Sequence, residues 1–372
     1  MRTKPATQPS SRILPFDILR GYFLSVILLN HLWYYPSGLD IFTGRSILYV
    51  STAEGFFAVS GIVLGIIRGY KLRTEPMKRV SALLLKRAGM LYITSLVLTL
   101  GYTLLAWWVL PNNPGLPSGL APASTPLVEL VWNTLTLQYT YGWADFLRYY
   151  ALFLALTPLA LWLLRKGLWP IVVLTSLSVW ACYPLIATPS LAVLASWQLV
   201  FFGGLCVGYY WKHLSDAWMR FSETTRKHIT AGLVATFFVT LSLTVLLVFG
   251  GSIGGNVGNA IESVHHIIEQ GFEKDRLPLP RILLGTVWFW AAFWMAWKFR
   301  HVIQHRMKWL IELGQNSLYT YIISSVVVFG FHLFLPSPGA GNLLVNLALS
   351  VLALGLIITA VKTKFLMKII PR

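Results

Sequence analysis

An arginine and a histidine, Arg20 and His31, interrupt the first long apolar run of this chain, FDILRGYFLSVILLNHLWYY. On an α-helix their spacing corresponds to about 1100° of rotation and about 16 Å of rise, so both side chains leave one face. Ionisable groups at membrane depth are costly and are read first as functional. A guanidinium is a planar fork for a phosphate or a polarised carbonyl. An imidazole is a general base. The pair therefore suggests a site reached from two sides of a membrane. The plainer readings are a salt bridge of Arg20 with Asp17 and a hydrogen-bonded packing role for His31.

The second apolar run carries Glu54 about 10 Å below the His31 end, at ~1.5 Å per residue. That depth matches His31 on a neighbouring antiparallel helix. A carboxylate that orients an imidazole is the usual general-base arrangement, so His31 and Glu54 are the expected catalytic pair. Near the Arg20 end lie Arg68, Lys71, Arg73, Arg79 and Arg87. As a ring they suit a polyphosphate; individually they suit a topology signal. Gln198, Asp145, Arg148, Tyr149, Tyr150, Trp143 and Trp197 fall toward the His31 end and are candidates to bind an acceptor. Each also suits an interfacial anchor or a packing hydrogen bond. His265 and His266 lie on a loop and read as a solvated face, with no metal expected.

The elements that must position these residues follow from composition. The 372 residues are 56% hydrophobic, 14% aromatic and 12% charged, well below the ~25% charge of soluble domains. Apolar runs at about 15–35, 47–67, 88–110, 146–164, 168–187, 193–211, 229–249, 281–299, 316–335 and 342–361 each approach the ~20 residues that cross a bilayer. The expected fold is an all-α polytopic bundle of about ten transmembrane helices. With the N-terminus placed inside, most Lys and Arg fall on inner segments, while Arg45, Arg148, Lys274, Arg276 and Arg281 fall outside. This bias puts both termini in the cytoplasm and explains the +17 net charge without nucleic acid. The expected division is a tail at 1–14, a transmembrane domain at 15–361 and a basic tail at 362–372. The first run is too long for a signal peptide and reads as a retained helix.

Cys182 and Cys206 suggest neither a disulfide framework nor a metal site. The segment 111–145 opens with turn-forming residues and continues as an amphipathic stretch suited to an interface. GGSIGGNVG reads as a mobile or re-entrant element before a surface helix. Gly61, Gly65 and Gly69 form a doubled small-xxx-small spacing, which could bring the second helix against the first. No internal repeat is evident.

Asp17, Leu19, Arg20 and Gly21, followed by Asn30 and His31, resemble the first-helix motif of the membrane acyltransferase-3 family and its relatives. AEGFFAVSG at 53–61 resembles that family's acidic, aromatic, S-G element, with Glu54 as in the OpgC branch. FLRYYALFLALTPLALWLLRKG at 146–167, SWQLVFFGGLCVGY at 196–209 and LGQNSLYTYI at 313–322 are similar to the same branch. Many relatives carry a His soon after the last element, whereas Ile323, Ser324 and Ser325 follow here and His332 comes later; no role is assigned to a ninth-helix His. The resemblance implies transfer of an acyl group, succinyl or acetyl, from cytoplasmic acyl-CoA to a hydroxyl of an extracytoplasmic glycan, in a bacterial inner membrane. It implies acyl-CoA as donor substrate and no permanently bound cofactor. The competing expectation is a proton-coupled transporter or flippase using His31, Glu54 and Arg20 as a relay.

Overall fold

The computed structural model describes residues 12–109, 116, 118–335 and 342–370. Residues 1–11 of the expected N-terminal tail and part of the 111–145 segment lie outside them. The described chain forms sixteen helices. In order these are α1 Leu14–Leu32, α2 Asp40–Thr43, α3 Thr52–Leu64, α4 Met77–Val109, α5 Leu127–Leu135, α6 Asp145–Arg165, α7 Trp169–Ala181 and α8 Pro189–Tyr209. There follow α9 Trp211–Arg220, α10 Glu223–Phe249, α11 Gly255–Glu269, α12 Leu279–Lys298, α13 Arg300–Arg306, α14 Lys308–Gln315, α15 Ser317–Phe334 and α16 Leu343–Thr363. The last turns of the α3 segment, Gly65–Tyr70, are π-helical.

All ten apolar runs are helical. Among the described residues, eight helices are long and apolar enough to cross a membrane. The two others are informative. Helix α7 has only 13 residues. Helix α1 has 19, but Asp17, Arg20, Asn30 and His31 lower its hydropathy. Its environment accommodates them. Pro15 sits in the first turn, where its missing N–H costs nothing, and Trp33 ends the helix in a left-handed conformation at φ 58°. Between these stops most of α1 is buried against α3, α12, α14, α15 and α16. Polar side chains on α1 therefore meet protein rather than lipid tails. Helix α10 is the opposite case: it is apolar all round, Thr244 is its one buried residue, and it packs mainly on α11 and α12.

Glycines set the closest helix contacts. Gly21 on α1 lies against the Leu310 carbonyl on α14, and Gly314 lies against the Asp17 carbonyl, so neither position has room for a methyl. Gly61 and Gly65 press on the Phe201 and Leu205 carbonyls of α8. In return Gly204 and Gly208 press on the Ala58 and Ile62 carbonyls. The small-residue stripe thus joins the second membrane helix to α8, not to α1 as its spacing alone suggested. Small residues on both partners let the backbones meet, and on α1 the Gly21 position is already taken by the Leu310 carbonyl of α14.

Candidate active site

At one end of the bundle, half-buried Arg20 faces other cations. Its charge interacts with those of Arg12 and Arg87, and that of Arg87 with Arg68. Tyr150 and Asp17 lie near enough to favour it. The salt bridge to Asp17 does not form: no ion pair among the described residues joins them. Asp17 instead accepts a 3.4 Å hydrogen bond from Gln315 Nε2. Arg20 Nε has no hydrogen-bond partner. Arg73 and Arg79 stand outside this group. Arg73 lies over the Tyr70 ring at 4.7 Å, and Arg79 pairs with Glu75 at 2.7 Å on the exposed surface. The loop between them is held by Arg165, whose guanidinium donates to the carbonyls of Glu75 at 2.7 Å and Leu72 at 2.6 Å.

At the other end, His31 lines a cavity of about 10 Å³ with Trp143, Tyr321, Ser324 and Ser325. The His31 and Trp143 rings are 5.8 Å apart. Tyr321 donates to the Trp143 carbonyl at 2.6 Å, which fixes that wall. His332 completes the surroundings. It is fully buried, its ring lies 5.0 Å from Trp143, and its Nε2 is 3.0 Å from the His31 carbonyl. A carbonyl only accepts, so Nε2 carries the proton. The bond satisfies a carbonyl at the open C-terminal end of α1 and anchors the backbone of His31. A histidine late in α15 therefore does reach the site, although its position in the sequence gave no reason to assign it a role.

Glu54 is engaged elsewhere. Its Oε1 accepts from Arg281 Nε at 2.5 Å and its Oε2 from the Ser51 N–H at 2.7 Å. Both charged residues are buried. Arg281 also donates to the Phe272 carbonyl at 2.5 Å. The expected His31–Glu54 pair is replaced by a buried Glu54–Arg281 ion pair. Matching depth was necessary for the former but not sufficient, since Glu54 lies on the side of α1 that faces α12. Arg281 counted in the sequence only as an outer-side cation; its place at the head of an apolar run was the available signal. Half-buried Lys274, in the loop before α12, acts on the charges of His31, Glu54 and Asp145.

The remaining candidates separate by their hydrogen bonds. Gln198 clamps α8 to α7, accepting from the Ser176 hydroxyl at 2.6 Å and donating to the Ser176 carbonyl at 2.7 Å. Trp197 is buried with its ring 5.4 Å from Phe57, so it offers no face to a sugar. Arg148 is buried, donates to the Leu137 carbonyl at 3.0 Å and the Tyr149 hydroxyl at 2.9 Å, and braces the loop before α6. Asp145 is exposed and accepts from the Phe146 N–H at 2.8 Å. Asn30, the residue before His31, orders the α1–α3 connection through the Thr43 carbonyl, Ser46 and Tyr35. Among the described residues no group of three His, Cys, Asp or Glu could hold a metal ion.

The described residues thus form a helical membrane bundle whose buried first helix presents a clustered arginine at one end and a packed histidine at the other. The chain belongs to the OpgC protein family, whose profile matches residues 12–369. Membership implies transferase activity of the membrane, glucan-modifying acyl-transfer type. No curated protein and no solved structure matches the chain.

Proposed function

We propose that this protein is an acyl-CoA-dependent O-acyltransferase of a bacterial inner membrane, moving a succinyl or acetyl group to a hydroxyl of an extracytoplasmic glycan. The observation that carries the reading is the disposition of α1. One buried helix holds a guanidinium within a cluster of like charges at one end and an imidazole at the other, on one face. Like charges gathered at a half-buried site favour a polyanion, and the pyrophosphate and ribose phosphate of CoA supply one. Arg20, Arg68 and Arg87 grip the donor; the basic Arg20 end is the cytoplasmic end by the positive-inside rule.

In the reaction, His31 takes the proton of the acceptor hydroxyl. The oxygen attacks the thioester carbonyl, the C–O bond forms, the C–S bond breaks, and CoA leaves as a thiolate that recovers a proton. His332, through the His31 carbonyl, is a positioning residue. Lys274 supplies a positive potential for the carboxylate of a succinyl group. The cavity beside His31, about 10 Å³, is too small for an acyl group or a sugar in this conformation. Transfer therefore requires α1 and α15 to part at Trp143 and the Ser324–Ser325 pair. The transporter reading loses support because Glu54, its middle relay group, is clamped by Arg281 and Ser51.

The test is turnover by the purified protein in lipid nanodiscs. Succinyl-CoA or acetyl-CoA labelled in the acyl group is added with glucan oligosaccharides. Free CoA and labelled glycan in equal amounts support the reading. No CoA release with any glucan, together with glycan uptake into sealed vesicles, refutes it.

A further inference from the structure

A large apolar cavity lies off the Arg20–His31 face. It measures about 580 Å³ and runs between α1, α3, α8, α10 and α12. Asn30 lines it, whereas His31 lines the small cavity beside α15. Successive helix residues are about 100° apart, so the two openings face different sides of α1. Most of its wall is hydrocarbon or glycine, including Phe23, Val200, Gly203, Leu241 and Phe289. The polar end holds Glu54 and Arg281.

Arg281 is 3% exposed and has a donor to spare. Its Nε serves Glu54 and its Nη1 serves the Phe272 carbonyl, but its buried Nη2 has no hydrogen-bond partner. A buried unsatisfied guanidinium nitrogen is costly, more so than a neutral group. With Lys274 acting on the same carboxylate, two cations stand against Glu54. The end of an otherwise apolar slot is thus built for an anionic acceptor.

We propose that this cavity holds one acyl chain of an anionic glycerophospholipid, with the lipid phosphate accepting from Arg281 Nη2. The dimensions agree. From Arg281 to Met295, which both line the cavity, α12 rises about 21 Å. One leaflet of a ~30 Å hydrocarbon layer needs about 15 Å of chain. Entry is lateral: Ile41 and Phe42 at the rim are exposed apolar side chains, held beside α1 by the Tyr22 hydroxyl bonded to the Phe42 carbonyl at 2.9 Å. Acyl-CoA is a poor occupant, because its phosphates require several cations and the arginine cluster lies at the opposite end of α1. The inference does not depend on the acyl-transfer reading.

Photolabelling tests it. The full-length protein is reconstituted in phosphatidylcholine vesicles doped with phosphatidylglycerol bearing a diazirine in one chain, and labelled peptides are mapped by mass spectrometry. Labels should fall on α8, α10 and α12 at cavity residues. Phosphatidylglycerol should label roughly tenfold more than diazirine-bearing diacylglycerol, which lacks the phosphate, the worth of one charge-assisted hydrogen bond. Gly203 lines the slot and a Cβ there meets nothing within 4 Å, so Gly203→Leu places its side chain in the slot and should abolish cavity labelling. Arg281→Lys should erase the headgroup preference while chain labelling persists. Equal labelling by both lipids, labelling unchanged in Gly203→Leu, or displacement by acyl-CoA but not by unlabelled phosphatidylglycerol would overturn the proposal.

Discussion

Replacing Arg281 by Gln should destabilise the protein more than almost any other single polar change. Glu54 is 7% exposed and Arg281 3%, so the variant leaves a buried carboxylate with only the Ser51 N–H. Removing one partner of a buried ion pair costs about 3–5 kcal/mol, whereas replacing both is often close to neutral. At about 1.4 kcal/mol per decade, the single variant should lose about two to three and a half orders of magnitude in its folding equilibrium. Glu54→Gln alone should be milder, because Arg281 keeps the Phe272 carbonyl. The double variant Glu54→Leu with Arg281→Met should recover most of the stability. The assay is equilibrium unfolding in mild detergent, read by thiol labelling of Cys206, with turnover measured in parallel. Additive effects of the two substitutions would mean that these residues do not form the pair. An Arg281→Gln protein of wild-type stability, beside a stable Glu54→Gln protein without activity, would return Glu54 to His31.

Three further outcomes follow from particular contacts. Arg20→Lys, which loses the planar fork, and Arg87→Gln should each raise the KM for acyl-CoA about tenfold, one charge-assisted phosphate contact, and Arg87→Gln, which removes a charge, should also weaken its salt dependence; unchanged KM in both would remove the cluster from the donor site. Gly203→Ala should fold normally, whereas Gly204→Leu, facing the Ala58 carbonyl, should not accumulate as folded protein; size-exclusion profiles decide. On the exposed helix α11, the hydrogen bond to Glu269 raises the pKa of His266 above its ordinary value. A raised histidine stabilises fully below the ordinary pKa of ~6.5 and loses that contribution as pH rises through the folded value. Amide exchange across 255–269 should therefore quicken as pH climbs through and past neutrality, after correction for intrinsic base catalysis, and His266→Gln should remove the dependence.

The helices were legible because lipid imposes a length and an apolarity that composition reports directly. The apolar runs are helical, α5 matches the expected amphipathic stretch and α11 the expected surface helix, though α11 begins inside the glycine element and α9 and α13 lie in no apolar run. What was not legible is partner choice. The stripe Gly61, Gly65 and Gly69 advertises a close contact but not with whom; its answer lies in Gly204 and Gly208, over a hundred residues on. Glu54 announced that it needed a cation or a base, and depth alone could not choose between His31 and Arg281. His332 was hidden by its distance from the NSLYTYI element, since sequence spacing along α15 says nothing of which turn meets the end of α1. Arg20 and His31 were visible because both stand on one helix, where rotation and rise follow from count alone.

The most direct test is single-turnover acyl transfer by His31→Ala, measured beside equilibrium binding of CoA to the same protein. Loss of a general base costs about 10²–10⁴-fold in rate. Transfer should fall by that factor while CoA affinity stays at the wild-type value, because Arg20, Arg68 and Arg87 grip the donor about 16 Å away along α1. Transfer at the wild-type rate by a well-folded His31→Ala protein would contradict the account.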